Sequence, residues 1–128
     1  VQVDAYFAQL RTALRASPFI ASSEIQEDAR TAHEGFFKAN ANLIDGSFLS
    51  LREYVNTSGD SVVRYSYSYH YQKELQLIFR YDDTPHYPQL SSFPHHKHLA
   101  DGRVVPCEPP TLENVIHEIE SHLRKSTL

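Results

Sequence analysis

FFKANANLIDGSFLSLREYVN, residues 36–56, holds two runs of alternating character joined by Asp45-Gly46. Phe37, Ala39, Ala41 and Leu43 alternate with Lys38, Asn40 and Asn42, which is the period of a strand with one buried face. Asp-Gly between two such runs is the strongest short hairpin signal, because both central residues of a two-residue turn need positive φ. The passage predicts an antiparallel pair whose second strand covers residues 47–56.

The alternation continues outward. Residues 57–60, TSGD, form the next turn, and a strand over 61–71 carries Tyr65, Tyr67, Tyr69 and Tyr71 on one side. A fourth run, 74–82, alternates Leu75, Leu77, Phe79 and Tyr81 against Gln76, Ile78, Arg80 and Asp82. Residues 20–33 are mixed and read as a fifth strand, because the strand at Phe36 needs an antiparallel neighbour. Tyr6, Phe7, Leu10 and Leu14 recur at helical spacing over 3–16, where Ser17-Pro18 closes the pattern. A last helix starts at Thr111 with Glu113 in its first turn and a buried stripe of Leu112, Val115, Ile116, Ile119 and Leu123. Proline-rich residues 83–110 read as a loop crossing the domain, with a short extended piece at 103–105. The expected fold is α+β: an antiparallel meander sheet of four to five strands, with N-terminal and C-terminal helices packed on one face, in a single domain over residues 1–128.

Turn lengths set which residues face each other. A two-residue loop at Asp45-Gly46 pairs Ile44 with Ser47 and sets Lys38 opposite Glu53. A four-residue loop at 57–60 sets Glu53 opposite Arg64, and a three-residue loop at 72–74 sets Arg64 opposite Asp82. The expected polar face then carries Lys38, Glu53, Arg64 and Asp82 in one row, with Asn40, Ser66, Ser68, His70 and Arg80 beside it. Phe48, Tyr54 and all four tyrosines fall on the apolar face, while Leu49, Leu51 and Ile78 are apolar exceptions on the polar one. The long loop is expected to cover part of that face and bring its histidines there.

At 128 residues the chain can bury a full core without a staple. Its lone cysteine, Cys107, excludes an internal disulfide and favours a reducing compartment. The first residues lack a basic start followed by an apolar run, so a cytoplasmic location is expected. A net charge of −4 argues against nonspecific nucleic-acid binding through bulk positive potential.

Eight histidines are the compositional oddity, three of them within Pro94-His95-His96-Lys97-His98. Imidazole both takes and gives a proton near neutral pH, and a nearby cation stabilises a developing anion. Cleavage of an RNA phosphodiester needs such a set, and it needs no metal. The plainer reading is a solvated histidine-rich loop. A metal site is a third reading, in which His70 and His86 join, although the spacing matches no common zinc pattern. The charge row can serve sheet pairing alone, and the tyrosine ladder suits a core. Cys107 has no activating base in sequence, and His117 and His122 decorate the last helix.

The runs LIDGSFLSLREYV (43–55), VVRYSYSYHYQ (62–72), LIFRYDDTPHYP (77–88) and FPHHKHL (93–99) resemble the TumE family, toxins of bacterial toxin-antitoxin pairs, in order over about residues 35–123. The resemblance implies a cytoplasmic toxin with ribonuclease activity, neutralised by a helix-turn-helix, DNA-binding antitoxin. The family's motif positions fall on Asp45, Gly46, Glu53, Arg64, Tyr65, His70, Arg80, Tyr81, Asp82, His86, Pro94, His95, His96, Lys97 and His98. Residue chemistry and resemblance together nominate a metal-independent endoribonuclease without a cofactor. His95, His96, His98 and Glu53 are its catalytic candidates; Lys97, Arg64, Arg80, His70, Asp82 and His86 are its candidates for RNA contact. A nucleotide-dependent transferase and a noncatalytic antitoxin-binding module are the rivals, and an exposed edge strand would permit a homodimer.

Overall fold

A computed structural model describes residues 1–126. In chain order the elements are helix α1 (Val3–Ala16), strands β1 (Ile20–Ala29), β2 (Glu34–Leu43), β3 (Phe48–Asn56), β4 (Val63–Lys73), β5 (Gln76–Asp82), β6 (His96–Leu99) and β7 (Val104–Pro106), and helix α2 (Leu112–Ser126). The strands lie side by side in sequence order and pair antiparallel throughout, so the sheet is one uninterrupted meander.

The sheet has seven strands rather than the four to five expected. The two additional strands come from residues 83–110, read from sequence as loop. In His96-Lys97-His98-Leu99 both faces are polar, so no hydrophobic period marks the strand. The signal that was present is Asp101-Gly102: Gly102, at φ +92°, closes a tight hairpin in which Leu99 N–H donates to Arg103 O at 2.8 Å.

The register also differs from expectation. The loop after β2 has three residues, Ile44, Asp45 and Gly46. Leu43 N–H donates to Ser47 O at 2.9 Å, and Gly46 sits at φ +84°. Asp45 Oδ1 accepts from the Ser47 amide at 3.0 Å, which fixes this longer turn. One extra loop residue turns every β3 side chain to the other face. Lys38 pairs with Arg52, and Glu53 pairs with Phe37. Leu49 and Leu51 therefore belong to the core, while Phe48 and Tyr54 face the other way. Between β3 and β4 a bulge follows Tyr54, so Glu53 meets Tyr67, and Arg64 pairs with Val55. The bulge parts Tyr65, half exposed, from the buried Tyr67, Tyr69 and Tyr71. The β4–β5 turn is two residues, Glu74 and Leu75, and with a bulge at Ile78 it sets Asp82 opposite Ser68 rather than Arg64.

Both helices cover one face of the sheet. Val3, Phe7, Leu10 and Leu14 of α1 and the stripe Leu112, Val115, Ile116, Ile119 and Leu123 of α2 pack with Phe37, Ala39, Ala41, Leu49, Leu51, Val55, Tyr69 and Tyr71. Each large side chain buried there contributes roughly 1.5–3 kcal/mol before its ordering entropy is set against it. Small residues let α1 approach β2: a Cβ on Gly35 would lie 3.0 Å from the Phe7 ring and 2.7 Å from the Asp28 carbonyl. Thr111 and Asn114 cap α2 reciprocally, at 3.0 and 3.1 Å. Ser17 Oγ donates to Glu120 Oε2 at 2.6 Å and joins the end of α1 to α2. Among the described residues no helix is long and apolar enough to cross a membrane.

Candidate functional site

The face of the sheet opposite the helices is polar and crossed by continuous rows, because residues directly paired on neighbouring strands share a side. One row runs Lys38, Arg52, Ser68, Asp82, His96 from β2 to β6. The next runs Asn40, Ser50, His70, Arg80, His98. The histidines reach this face as part of the sheet, not by a loop folding over it.

Asp82 is the centre of the cluster. Its Oδ1 lies 3.0 Å from His96 Nε2 and accepts from the Thr84 amide at 3.0 Å. Its Oδ2 accepts from Arg80 Nε at 2.9 Å and lies 3.6 Å from His98 Nε2. Burial by itself would raise this carboxyl, but Arg80, the Thr84 amide and His96 outweigh it and hold it below the usual carboxylate range. His96 is 1% exposed, and its Nδ1 lies 2.9 Å from the Pro94 carbonyl. Both of its ring nitrogens thus face acceptors.

Arg80 continues the network: Nη1 donates to His70 Nδ1 at 3.2 Å, and His70 Nε2 then donates to Gln72 Oε1 at 2.7 Å. With Nε and Nη1 held, the rest of the guanidinium faces a cleft of about 420 Å³ lined by Lys38, Ser50, Arg52, Ser68 and His70. His98 has a side chain 27% exposed. Burial pushes its imidazole down; Asp82 opposes that, and His96 and Arg80 add to it, so the ring is neutral near pH 7. Tyr87 from the β5–β6 loop sets its ring edge-on to His96 and His98, at 4.8 and 5.9 Å.

The remaining nominated residues lie elsewhere. Glu53, 1% exposed, accepts from the hydroxyls of Tyr6 and Tyr69 among the core residues, the latter at 2.5 Å. Arg64 donates to Tyr69 Oη at 2.7 Å and to the Pro110 carbonyl at 2.6 Å, tying β4 to the chain entering α2. Burial, with Glu53 beside them, pushes both the Tyr6 and the Tyr69 hydroxyl well above the ordinary phenol range. Lys97 points to the helices, where Nζ donates to Glu118 Oε2 at 2.6 Å and lies over the Tyr81 ring at 4.8 Å. His95 meets the Tyr67 hydroxyl at 2.8 Å, and His86 is exposed in the loop. The structure therefore gathers His70, Arg80, Asp82, His96 and His98, and parts them from Glu53, Arg64, His95, Lys97 and His86.

Sequence reasoning missed Arg52 and Tyr87. For Arg52 the signal was available, since Leu49, Leu51 and Val55 are the apolar phase of β3 and Arg52 is out of phase with them. Lys38 and Arg52 stand directly opposite one another, and among the described residues neither lies within 4.0 Å of a carboxylate. Like charges opposite each other destabilise a sheet, so this pair costs the fold stability.

Asp82, His96 and His98 also offer three ligand atoms within 4.8 Å of one another. A histidine whose Nδ1 is tied to a backbone carbonyl is in the usual orientation for a metal ligand. The Arg80 guanidinium on Asp82 Oδ2 is a fixed positive charge that opposes a dication at the same place.

A family model described as Toxin TumE matches residues 10–125. No curated protein and no solved structure matches the chain.

Proposed function

Because the chain belongs to the TumE toxin family, we propose that it acts on RNA, as a cytoplasmic endoribonuclease whose chemistry sits on the open face of the sheet. The observation that carries this reading is the row His70, Arg80, His98, in which two imidazoles flank one guanidinium on strands about 5 Å apart. In-line attack by a 2′-hydroxyl puts the entering and leaving oxygens on opposite sides of phosphorus, so base and acid must approach from two sides.

His98, neutral near pH 7, takes the proton of the 2′-hydroxyl as the 2′-oxygen bonds to phosphorus. The bond from phosphorus to the 5′-oxygen breaks, and His70, in its doubly protonated state, gives that oxygen a proton. The products are a 2′,3′-cyclic phosphate and a 5′-hydroxyl, with no water, metal or cofactor consumed. Protonated His70 no longer accepts from Arg80, which turns Nη1 toward the phosphate. Arg80, aimed by Asp82, stabilises the charge gathering on the phosphorane, and His96 positions Asp82. Lys38 and Arg52 hold a neighbouring phosphate. Glu53, Arg64, His95 and Lys97 support the fold and the helix-bearing face.

The Asp82, His96, His98 trio favours a second reading, metal-assisted hydrolysis, in which these residues hold a divalent ion. As a toxin of a toxin-antitoxin family the protein has a cognate antitoxin, which we take to be a helix-turn-helix DNA-binding protein. Labelled RNA incubated with the purified chain, with and without EDTA and beside His98→Ala, tests the reading. Cleavage that survives EDTA, leaves 2′,3′-cyclic ends and disappears in the variant is expected. EDTA-sensitive cleavage moves the assignment to the metal reading, and intact RNA throughout overturns both.

A further inference from the structure

A third row crosses the open face one step from the Lys38–Arg52 pair, and none of the chemistry above uses it. Phe36 on β2 pairs with Tyr54 on β3, and their rings stack at 4.2 Å between centroids and 8° between planes. Tyr65, freed from the pairing by the bulge in β4, extends the row with its ring tilted 56° against Tyr54 at 5.0 Å. The Arg30 guanidinium lies over the other side of Phe36 at 4.9 Å. Phe36 is 37% and Tyr65 50% exposed, so an aromatic row three strands wide is open to solvent on a sheet face that no helix covers.

Beside this row is a cleft of about 300 Å³ whose walls include Phe36, Tyr54, Arg52, Ser68, Asp83 and Thr84. Arg52 and Ser68 also line the cleft in front of Arg80, so the two concavities are neighbours that share a wall. The chemistry of the walls separates base from backbone. Two cations without an ion-pair partner among the described residues, Lys38 and Arg52, suit a phosphate. Asp83 repels a phosphate but accepts N–H groups from the edge of a base, and the rings offer a face that every base can stack on. From the aromatic row to the His70–Arg80–His98 row is two steps of strand, roughly 13 Å at the strand rise. A duplex keeps its bases stacked inward and cannot present one to this row.

We infer that the Phe36–Tyr54–Tyr65 row, with the cleft at Asp83 and the Lys38–Arg52 pair, is a binding track for single-stranded RNA that stacks an unpaired base next to the phosphate held at Arg80. The inference rests on the RNA-directed reading above and names its substrate as single-stranded. A base extends the stack at Tyr65 or takes the place of the exposed Arg30 side chain over Phe36. With an overall charge of −4, the phosphate contacts fall to the cations that line this face, Lys38, Arg52 and Arg80.

The test is fluorescence anisotropy of the full chain with a labelled, uncleavable 2′-O-methyl single strand and with its duplex, over a range of salt. Wild type is compared with Phe36→Ala/Tyr65→Ala and with Lys38→Ala/Arg52→Ala, each checked for an unchanged melting temperature so that a folding defect is recognised. The aromatic variant is expected to lose roughly ten- to hundredfold in single-strand affinity with the salt slope kept. The basic variant is expected to lower that slope by about 1.4. Equal binding of strand and duplex, or an aromatic variant that binds like wild type, overturns the track. So do rings that are needed for antitoxin binding and not for RNA, since the row would then be a protein interface. The same strand with free 2′-hydroxyls separates the two readings. Ring-dependent binding without cleavage upholds the track and ends the nuclease reading; cleavage with ring-independent binding does the reverse.

Discussion

His96 Nε2 lies 3.0 Å from Asp82 Oδ1 across the β5–β6 pair, and Arg80 Nε holds the other oxygen of the same carboxylate at 2.9 Å. One buried acid thus aims a histidine and an arginine at once. Its carboxyl is held below its unfolded value near ~3.9, so the unfolded chain binds this proton first. The stabilisation is complete above that unfolded value and is lost as pH falls through the lower, folded one. Asp82→Asn is expected to flatten the pH dependence of stability below about pH 4, read from urea midpoints across pH.

Arg80 is the cation nearest the proposed phosphate, and its direction is fixed by the Nε bond to Asp82. Arg80→Ala is expected to lower kcat by about a hundredfold or more, the scale on which a preorganised charge donor acts. Arg80→Lys, with one rotatable ammonium in place of the planar fork, recovers only part of that loss. Single-turnover cleavage rates at saturating RNA are the measurement.

As the proposed base, His98 with its depressed imidazole is expected to set the acid side of the pH profile. A base whose folded value lies below the free imidazole's stays active to lower pH, so the acid limb of kcat/KM is expected below about pH 6.5. An acid limb above that value would mean that His98 is not the base.

Glu53 is buried away from the proposed site, and on the proposed reading it serves the fold. It accepts from two hydroxyls inside the core, so Glu53→Ala strands Tyr69 and leaves Arg64 without its nearby charge. A loss of about 2–4 kcal/mol is expected in urea denaturation, while RNA cut by the surviving folded protein carries the same ends as wild type.

How far the sequence carried these conclusions depended on where apolar alternation was present. Residues 36–56 gave β2 and β3 outright, and the helix over 3–16 and the stripe of α2 were legible from spacing alone. The loop length at Asp45-Gly46 was not, because Asp-Gly serves a two-residue turn and, with the preceding Ile44, a three-residue one equally well. That single residue exchanged Glu53 for Arg52 in the charge row, and the bulge at Tyr65 left Ser68, not Arg64, as the next member. Leu49 and Leu51 had already marked the error as apolar exceptions on a polar face. The histidine strand was invisible for a different reason, since His96-Lys97-His98 carries polar groups on both sides. Its residue types still pointed to the cluster, and pairing with β5 supplied what the types alone could not, the placement of His96 beside Asp82 and His98 beside Arg80.

Lys97 and His98 are chain neighbours whose side chains point to opposite faces of the sheet, one into the Glu118 pair under the helices and the other beside Asp82. Cleavage of one labelled RNA by Lys97→Ala and His98→Ala, each confirmed as folded, separates those faces directly. Loss of cleavage in His98→Ala with a rate within a few-fold of wild type in Lys97→Ala is the result expected if the open face does the chemistry. Full activity in His98→Ala, with loss in Lys97→Ala, would place the chemistry on the helix-bearing side and contradict it.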